Sequence, residues 1–283
     1  MPEAIDVHVH PSTEEYLKPA LGPFTEATEK YFRTSIPIIT IDEMAAEFEA
    51  DDVLAVLFAW DAETATGLPP VTNDYIADAV RAHPDRFRGF ASVDPHKGDA
   101  AIAELDRAVS ELGLIGLKTQ AGAQDFRPDD RQFYPLWEKA AELGIPVLFH
   151  VGTTGLGAGT PGGMGVKLDN MRPIYVDTVA ANFPDLKIIA AHPAWPWQDE
   201  MIAIALHKAN VWIDLSGWSP KYFSEPLVRE IKTRLQDRVM FGTDYPFITY
   251  HKWITAFDEL GIPEDVRTKV IKTNAATLLG IEI

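Results

Sequence analysis

The chain has 283 residues, 46% of them hydrophobic, with a net charge of -17 at neutral pH and no cysteine. That length fills one large domain or two ordinary ones, and the charge argues against a general nucleic-acid or anionic-membrane surface, either of which would repel it. Without thiols there is no disulfide framework, no thiolate nucleophile and no thiolate metal ligand.

The start, Met1-Pro2-Glu3-Ala4, lacks the basic and apolar regions of a secretory leader, and the longest apolar stretch, Val53 to Trp60, is too short to span a bilayer. A cytoplasmic location is expected. Ile5 to Val9 reads as the first strand, and a long Pro- and aromatic-rich connection over 11–40, expected to fold over the mouth of the barrel, leads to a helix near Ile41 to Glu49. Three strand and helix pairs follow: Val53 to Ala59 with Asp74 to His83, Phe87 to Val93 with Ala100 to Leu112, and Leu114 to Lys118 with Phe133 to Leu143. Ile145 to His150 precedes a helix near Ile174 to Phe183, Leu186 to His192 one near Glu200 to Lys208, and Val211 to Leu215 one near Pro226 to Leu235. Arg238 to Asp244 is the eighth strand, and Glu264 to Leu279 a closing helix. Stops such as Glu142-Leu143-Gly144-Ile145-Pro146 punctuate the series. Eight apolar strand runs alternating with amphipathic helices predict an α/β fold, a (β/α)8 TIM barrel. With no linker or short repeat, 1–283 reads as a single domain.

Four histidines and one aspartate fall at strand ends: His8 and His10, then His150, His192 and Asp244. Strand side chains repeat on one face every two residues, so His8 and His10 point together and Val9 points away. His150, His192 and Asp244 arrive at carboxyl ends of buried strands, where barrels keep their active sites. Imidazoles with one carboxylate suit zinc, and also manganese or iron, so the five residues predict a metal site drawn from four strands. His83, His96, His207 and His251 lie in helical or loop stretches and read as solvated or structural.

Residues 151–169 are rich in glycine without a phosphate-binding spacing, and read as a lid beside His150 or as a surface loop. Trp60, Trp195, Trp197, Trp218, Tyr222, Tyr245, Phe247 and Tyr250 lie just beyond strand ends, fitting either loop packing or a planar, aromatic-derived small-molecule substrate. Lys118, Arg127, Lys167 and Arg172 are candidates for binding a carboxylate or phosphate, at least two of them being expected at the surface. From these, Lys118, Trp60, Trp197, Trp218 and Arg172 are taken as candidate substrate-binding residues. No nucleic-acid or membrane partner is expected; a homo-oligomer is left open.

The ordered set Asp6-Val7-His8-Val9-His10, Phe149-His150-Val151-Gly152, Ala191-His192-Pro193 with Trp197, and Phe241-Gly242-Thr243-Asp244-Tyr245-Pro246 resembles the amidohydrolase superfamily. The likeness is to its amidohydrolase-related branch, which includes aminocarboxymuconate semialdehyde decarboxylase, and it runs to Asn274-Ala275-Ala276-Thr277-Leu278-Leu279. The resemblance implies one divalent metal, zinc first and manganese second, held by His8, His10, His150 and Asp244, with His192 beside it. It makes Asp244 and His192 the catalytic residues. Lys118 stands where binuclear relatives carry a carbamylated lysine. Because the branch is mostly mononuclear, an unmodified Lys118 is the expectation, either aimed at a substrate anion or paired with an acid in the core. Some decarboxylases of the branch have Glu in place of the first His of the pair; His8 argues against those and leaves the muconate type open.

The first functional expectation is a hydrolase of a carbonyl substrate, since a bound divalent ion lowers the pKa of water to about 7 and Asp244 can move the proton. The alternative is a nonoxidative decarboxylase of an aromatic or muconate-type acid. A metal-bearing protein without catalysis is the third reading, disfavoured because the whole proton-transfer set is present.

Overall fold

The computed structural model describes residues 2–283. Strands β1 (Ala4–Val9), β2 (Val53–Phe58) and β3 (Phe87–Phe90) pair in sequence order. So do β4 (Leu117–Thr119), β5 (Val147–His150), β6 (Ile188–Ala191), β7 (Val211–Asp214) and β8 (Val239–Met240), and every pairing is parallel. Two single bridges complete the ring, Ala91 with Leu117 between β3 and β4, and Val9 with Tyr245 between β8 and β1. Backbone bonds from Lys118 to Ala91 (2.7 Å) and from His10 to Tyr245 (2.9 Å) support those joints. The predicted (β/α)8 barrel is the observed architecture.

The strands are continuous apolar runs because both of their faces are covered. Inside the ring, Ile5, Val7, Leu54, Val56, Phe58 and Met240 pack with Ala275, Leu278 and Ile281. The Leu278 carbonyl accepts from Lys187, just before β6, which places the C-terminal helix Asn274–Leu279 across the amino ends of the strands. Outside, Val53, Ala55 and Leu57 meet Met44 and Phe48 of the helix Ile41–Ala50, whose start is a capping box between Thr40 and Glu43.

Simple alternation would put Val7 and Val9 on one face. It does not here, because the β1/β2 register advances three residues on β1, Asp6 to Val9, against two on β2, Ala55 to Leu57. This bulge keeps Val7 in the interior cluster, sends Val9 to the outer one and leaves both His8 and His10 in the cavity. Strands three and eight end sooner than expected. Asp244 takes a left-handed φ of 65°, and His192, just past β6, one of 74°. Such backbone is costly for non-glycine residues and gathers at functional sites.

The 11–40 connection contains two helices, α1 (Glu14–Ala20) and α2 (Thr25–Phe32), that roof the barrel mouth as expected in place but not in form. A helix over Tyr250–Asp258 occupies a stretch expected only to contribute aromatic contacts. The closing helix is interrupted by a π turn over Lys269–Thr273. In the glycine-rich segment the structure forms short turns at Pro161–Gly165 and Leu168–Met171, and residues 153–156 face the cavity.

Candidate metal centre and active site

His8 Nδ1 lies 2.6 Å from the Asp214 carboxylate, and His10 Nδ1 lies 2.6 Å from the Tyr16 hydroxyl. These anchors turn both Nε2 atoms inward, to 3.4 and 3.3 Å from Asp244 Oδ1. The donor atoms of His8, His10 and Asp244 all lie within 4.8 Å of one another. Burial, reinforced by the Lys118 charge, holds the His8 pKa well below its ordinary value, and burial lowers that of His10. Both imidazoles are therefore neutral at neutral pH, the form a metal requires. Two neutral imidazoles, each held by a partner on its far nitrogen, and one carboxylate fit a divalent ion by donor type and by outer support.

His150 and His192 form the adjoining wall. The His192 Nδ1 faces the Ser216 carbonyl at 3.0 Å, and His150 Nε2 faces the Thr153 carbonyl at 3.1 Å. A carbonyl only accepts, so each of those nitrogens carries its proton. The remaining nitrogens, His192 Nε2 and His150 Nδ1, then face each other as lone pairs 3.1 Å apart. That arrangement calls for a shared proton or a cation. Burial pushes His192 down to about 4 and His150 well below its ordinary value, which disfavours the proton. His150 shares the cavity but does not join the three-donor cluster.

Lys118, at the centre of β4, is buried with its Nζ 3.1 Å from His8 Nε2 and 4.9 Å from the Phe58 ring centre. Burial lowers its pKa to about 8, against the attraction of Asp244 and Asp214. For Asp244, burial raises the pKa, but the bond to His10 and, at the acid pH where this carboxyl titrates, the charges of His192, His10 and Lys118 outweigh it and leave the carboxyl below its usual range.

Several necessary residues were not singled out in the sequence. Asp214 ends β7 as His150 ends β5, a signal that was available. It binds His8, the Ser216 backbone N–H (2.8 Å) and the Ser216 hydroxyl (3.0 Å). Asp6 accepts from the backbone N–H and hydroxyl of Thr243 and from the His8 N–H, tying β1 to the turn that presents Asp244. Burial raises its pKa to about 7. Glycine is required at two positions: a Cβ on Gly217 would stand 2.5 Å from His192 Nδ1, and one on Gly242 2.5 Å from Asp214 Oδ1.

Of the proposed substrate contacts, Trp60, Trp218 and Lys118 line the cavity; Trp197 and Arg172 do not. Arg172 instead donates to Glu200 at 2.9 Å and lies 5.8 Å from the centre of the Trp197 ring, on the outer surface of the β5–β6 region. Those two assignments are corrected: the guanidinium is neutralised by a neighbouring helix before any substrate could use it. Arg127 and Lys167 pair with Asp129 and Asp125 at the surface. His83, His96 and His251 meet Asp42, the Gln124 carbonyl and Asp51, consistent with structural roles.

The amidohydrolase family model matches residues 5–281. The chain belongs to this family. It is 26% identical over 287 aligned residues to γ-resorcylate decarboxylase of Rhodococcus jostii, covering 86% of this chain and 84% of the relative. Among solved structures, an uncharacterised TIM-barrel protein of Bordetella bronchiseptica superposes with a TM-score of 0.81 at 23% identity, covering 98% of each chain. A dihydroxybenzoic acid decarboxylase of Polaromonas sp. JS666, with bound manganese and the inhibitor 2-nitroresorcinol, gives a TM-score of 0.70 at 22% identity, covering 99% and 98%. The resemblance read from the sequence holds for the family and its decarboxylase-bearing branch. The preference for a hydrolase does not fare as well: the curated relatives are mostly decarboxylases, which favours the alternative. Among the described residues, no helix is long and apolar enough to cross a membrane.

Proposed function

We propose that the chain is a single-domain, metal-dependent, nonoxidative decarboxylase of a small aromatic acid. The observation that carries this is a cluster of buried His8 and Asp244, half-buried His10 and one cation, Lys118, at the base of a cavity walled by Trp60, Phe32 and Phe247. His8, His10 and Asp244 would hold one divalent ion, with His150 as the fourth donor. The donor set suits zinc or manganese, and manganese is what the Polaromonas decarboxylase holds. When bound, such an ion supplies positive charge that fixes the substrate's carboxylate and a neighbouring oxygen.

The protein's own groups supply the rest. Lys118 adds a second positive charge at the buried end, orienting an anion. Asp244 takes the proton of the substrate's ring hydroxyl and gives it to the ring carbon bearing the carboxylate. The bond from that carbon to the carboxyl group breaks, its electron pair returns to the ring, carbon dioxide leaves, and the ring carbon keeps the new hydrogen. His192, neutral and with its proton on the Nδ1 that faces Ser216, can only accept at Nε2, so it would receive the hydrogen bond of the ring hydroxyl and orient it before Asp244 takes the proton. The roof keeps water away from the step.

The test is to incubate metal-replete protein with hydroxybenzoic acids labelled at the carboxyl carbon, in deuterated water. Labelled carbon dioxide and one ring deuterium at the vacated position are expected. Solvent oxygen in the product without carbon dioxide would return the hydrolase reading. Metal analysis of chelator-free protein should show close to one zinc or manganese per chain.

A further inference from the structure

Lys118 is the one cation that lines the cavity among the described residues, and it lies against His8 at the polar end. The opposite wall comes from the roof: Leu17 of α1 and Leu21 just after it, Phe32 of α2, Leu156 of the glycine-rich segment and Phe247 beyond β8. Phe32 and Phe247 stack at 4.4 Å with their planes 11° apart. Gly155 lies so near that a Cβ there would stand 2.8 Å from the Phe32 ring.

Of the polar side chains along this cavity outside the metal cluster, four are committed within the protein, and Tyr31, Thr153, Trp60 and Trp218 offer only neutral groups. The Tyr16 hydroxyl serves His10, and the Thr28 hydroxyl donates to the Phe24 carbonyl at 2.9 Å. The Gln120 carbonyl oxygen accepts from the Ala123 N–H at 2.7 Å, and its amide faces Thr154, whose hydroxyl oxygen also receives the Leu156 N–H. A second carboxylate at the roof end would lose its water and find no cation. A methyl or ethyl group there would be sheltered from water by apolar walls on each side.

Resting on the decarboxylase reading, we infer that the substrate is an aromatic acid with a single carboxylate, and with an apolar substituent on the ring edge that faces Leu17, Leu21, Phe32, Leu156 and Phe247. These five side chains set specificity and take no part in the chemistry. An ion stripped of water without a partner is strongly disfavoured, whereas a buried methylene is worth about fourfold in affinity.

The experiment compares three hydroxybenzoic acids on the metal-replete protein: one bare, one with a methyl or ethyl group on the edge away from the carboxylate, and one with a second carboxylate there. Carbon dioxide release should rise about tenfold in kcat/KM, mostly through KM, for the alkyl compound, and fall at least a hundredfold for the dicarboxylate. Leu21→Lys should narrow that gap by favouring the dicarboxylate. Calorimetric binding of the three corresponding phenols, which lack the scissile carboxylate, reads the roof without turnover. If no acid releases carbon dioxide while the alkyl phenol binds tightest, the decarboxylase reading fails and the apolar subsite stands. If the carboxylated phenol binds as well as the alkyl one, or the dicarboxylic acid turns over as fast, the inference is overturned.

Discussion

The two ends of the barrel are made by the same eight strands and hold opposite chemistry. At the carboxyl ends, His8, Lys118, His150, His192, Asp214 and Asp244 are buried beside the half-buried His10, two of them on left-handed backbone. At the amino ends, Ile5 and Leu54 pack against Ala275, Leu278 and Ile281. Burying ionisable groups and strained backbone costs stability, and burying aliphatic carbon supplies it. The comparison teaches that one end stabilises the fold while the other spends that stability on chemistry, and each prediction below tests that division.

The largest effect belongs to Asp244→Asn. An amide cannot accept and return a proton near neutral pH, and general acid–base catalysis is worth about 10²- to 10⁴-fold. The loss in kcat should reach that size after correction for bound metal. His192→Asn should also lose activity while keeping metal. If metal-replete Asp244→Asn turns over within about tenfold of wild type, the proton role is wrong.

Leu278→Ala is the mirror experiment. Emptying a buried leucine costs about 2–5 kcal/mol, so the melting temperature should fall by several degrees in a chain of this size. Metal content and kcat should stay unchanged. A variant of normal stability that lost activity would erase the division between the ends.

The sequence reveals one end far better than the other. His8, His10, His150, His192 and Asp244 are readable because each stands at the end of an apolar run, so chain position alone aims them. Asp214 also ends such a run, but an aspartate before a turn ordinarily signals the turn itself, and only the fold shows it meeting His8. The β1 bulge is a relation between two strands and leaves no mark in β1 alone. The place of the roof over the mouth was legible, but its helices were hidden because Pro19, Gly22 and Pro23 interrupt the pattern of α1 and α2. Arg172 misled because its positive charge was visible and the Glu200 that answers it, 28 residues away, was not.

Asp214→Asn sharpens the comparison by acting on metal through His8. The amide still accepts from Nδ1 but no longer draws the imidazole toward greater basicity, so metal affinity should weaken about 10- to 100-fold. Competition with a chelator measures it. An unchanged metal affinity would make Asp214 a buried core acid with no part in the site.

The smallest effect tests whether a charged network must lie at the carboxyl ends to matter. Glu230, on the outer helix Glu225–Lys232, has its carboxylate buried and gripped by Arg234 at 2.6 and 2.7 Å and by Arg229 at 3.1 Å. The Arg234 bonds lead in holding its pKa down to about 2. A depressed carboxyl contributes stability that is present above its unfolded value and is lost as pH falls through the folded one. Glu230→Gln should therefore lower stability at pH 7, by about 1 kcal/mol or less because both arginines are largely exposed and screened. The gap to wild type should shrink as pH drops from about 5 toward 3, and kcat/KM should not move. If the gap stays constant with pH, the pair contributes packing and not charge. A change in kcat/KM would mean that charges far from the mouth reach the chemistry, which the separation of the two ends does not allow.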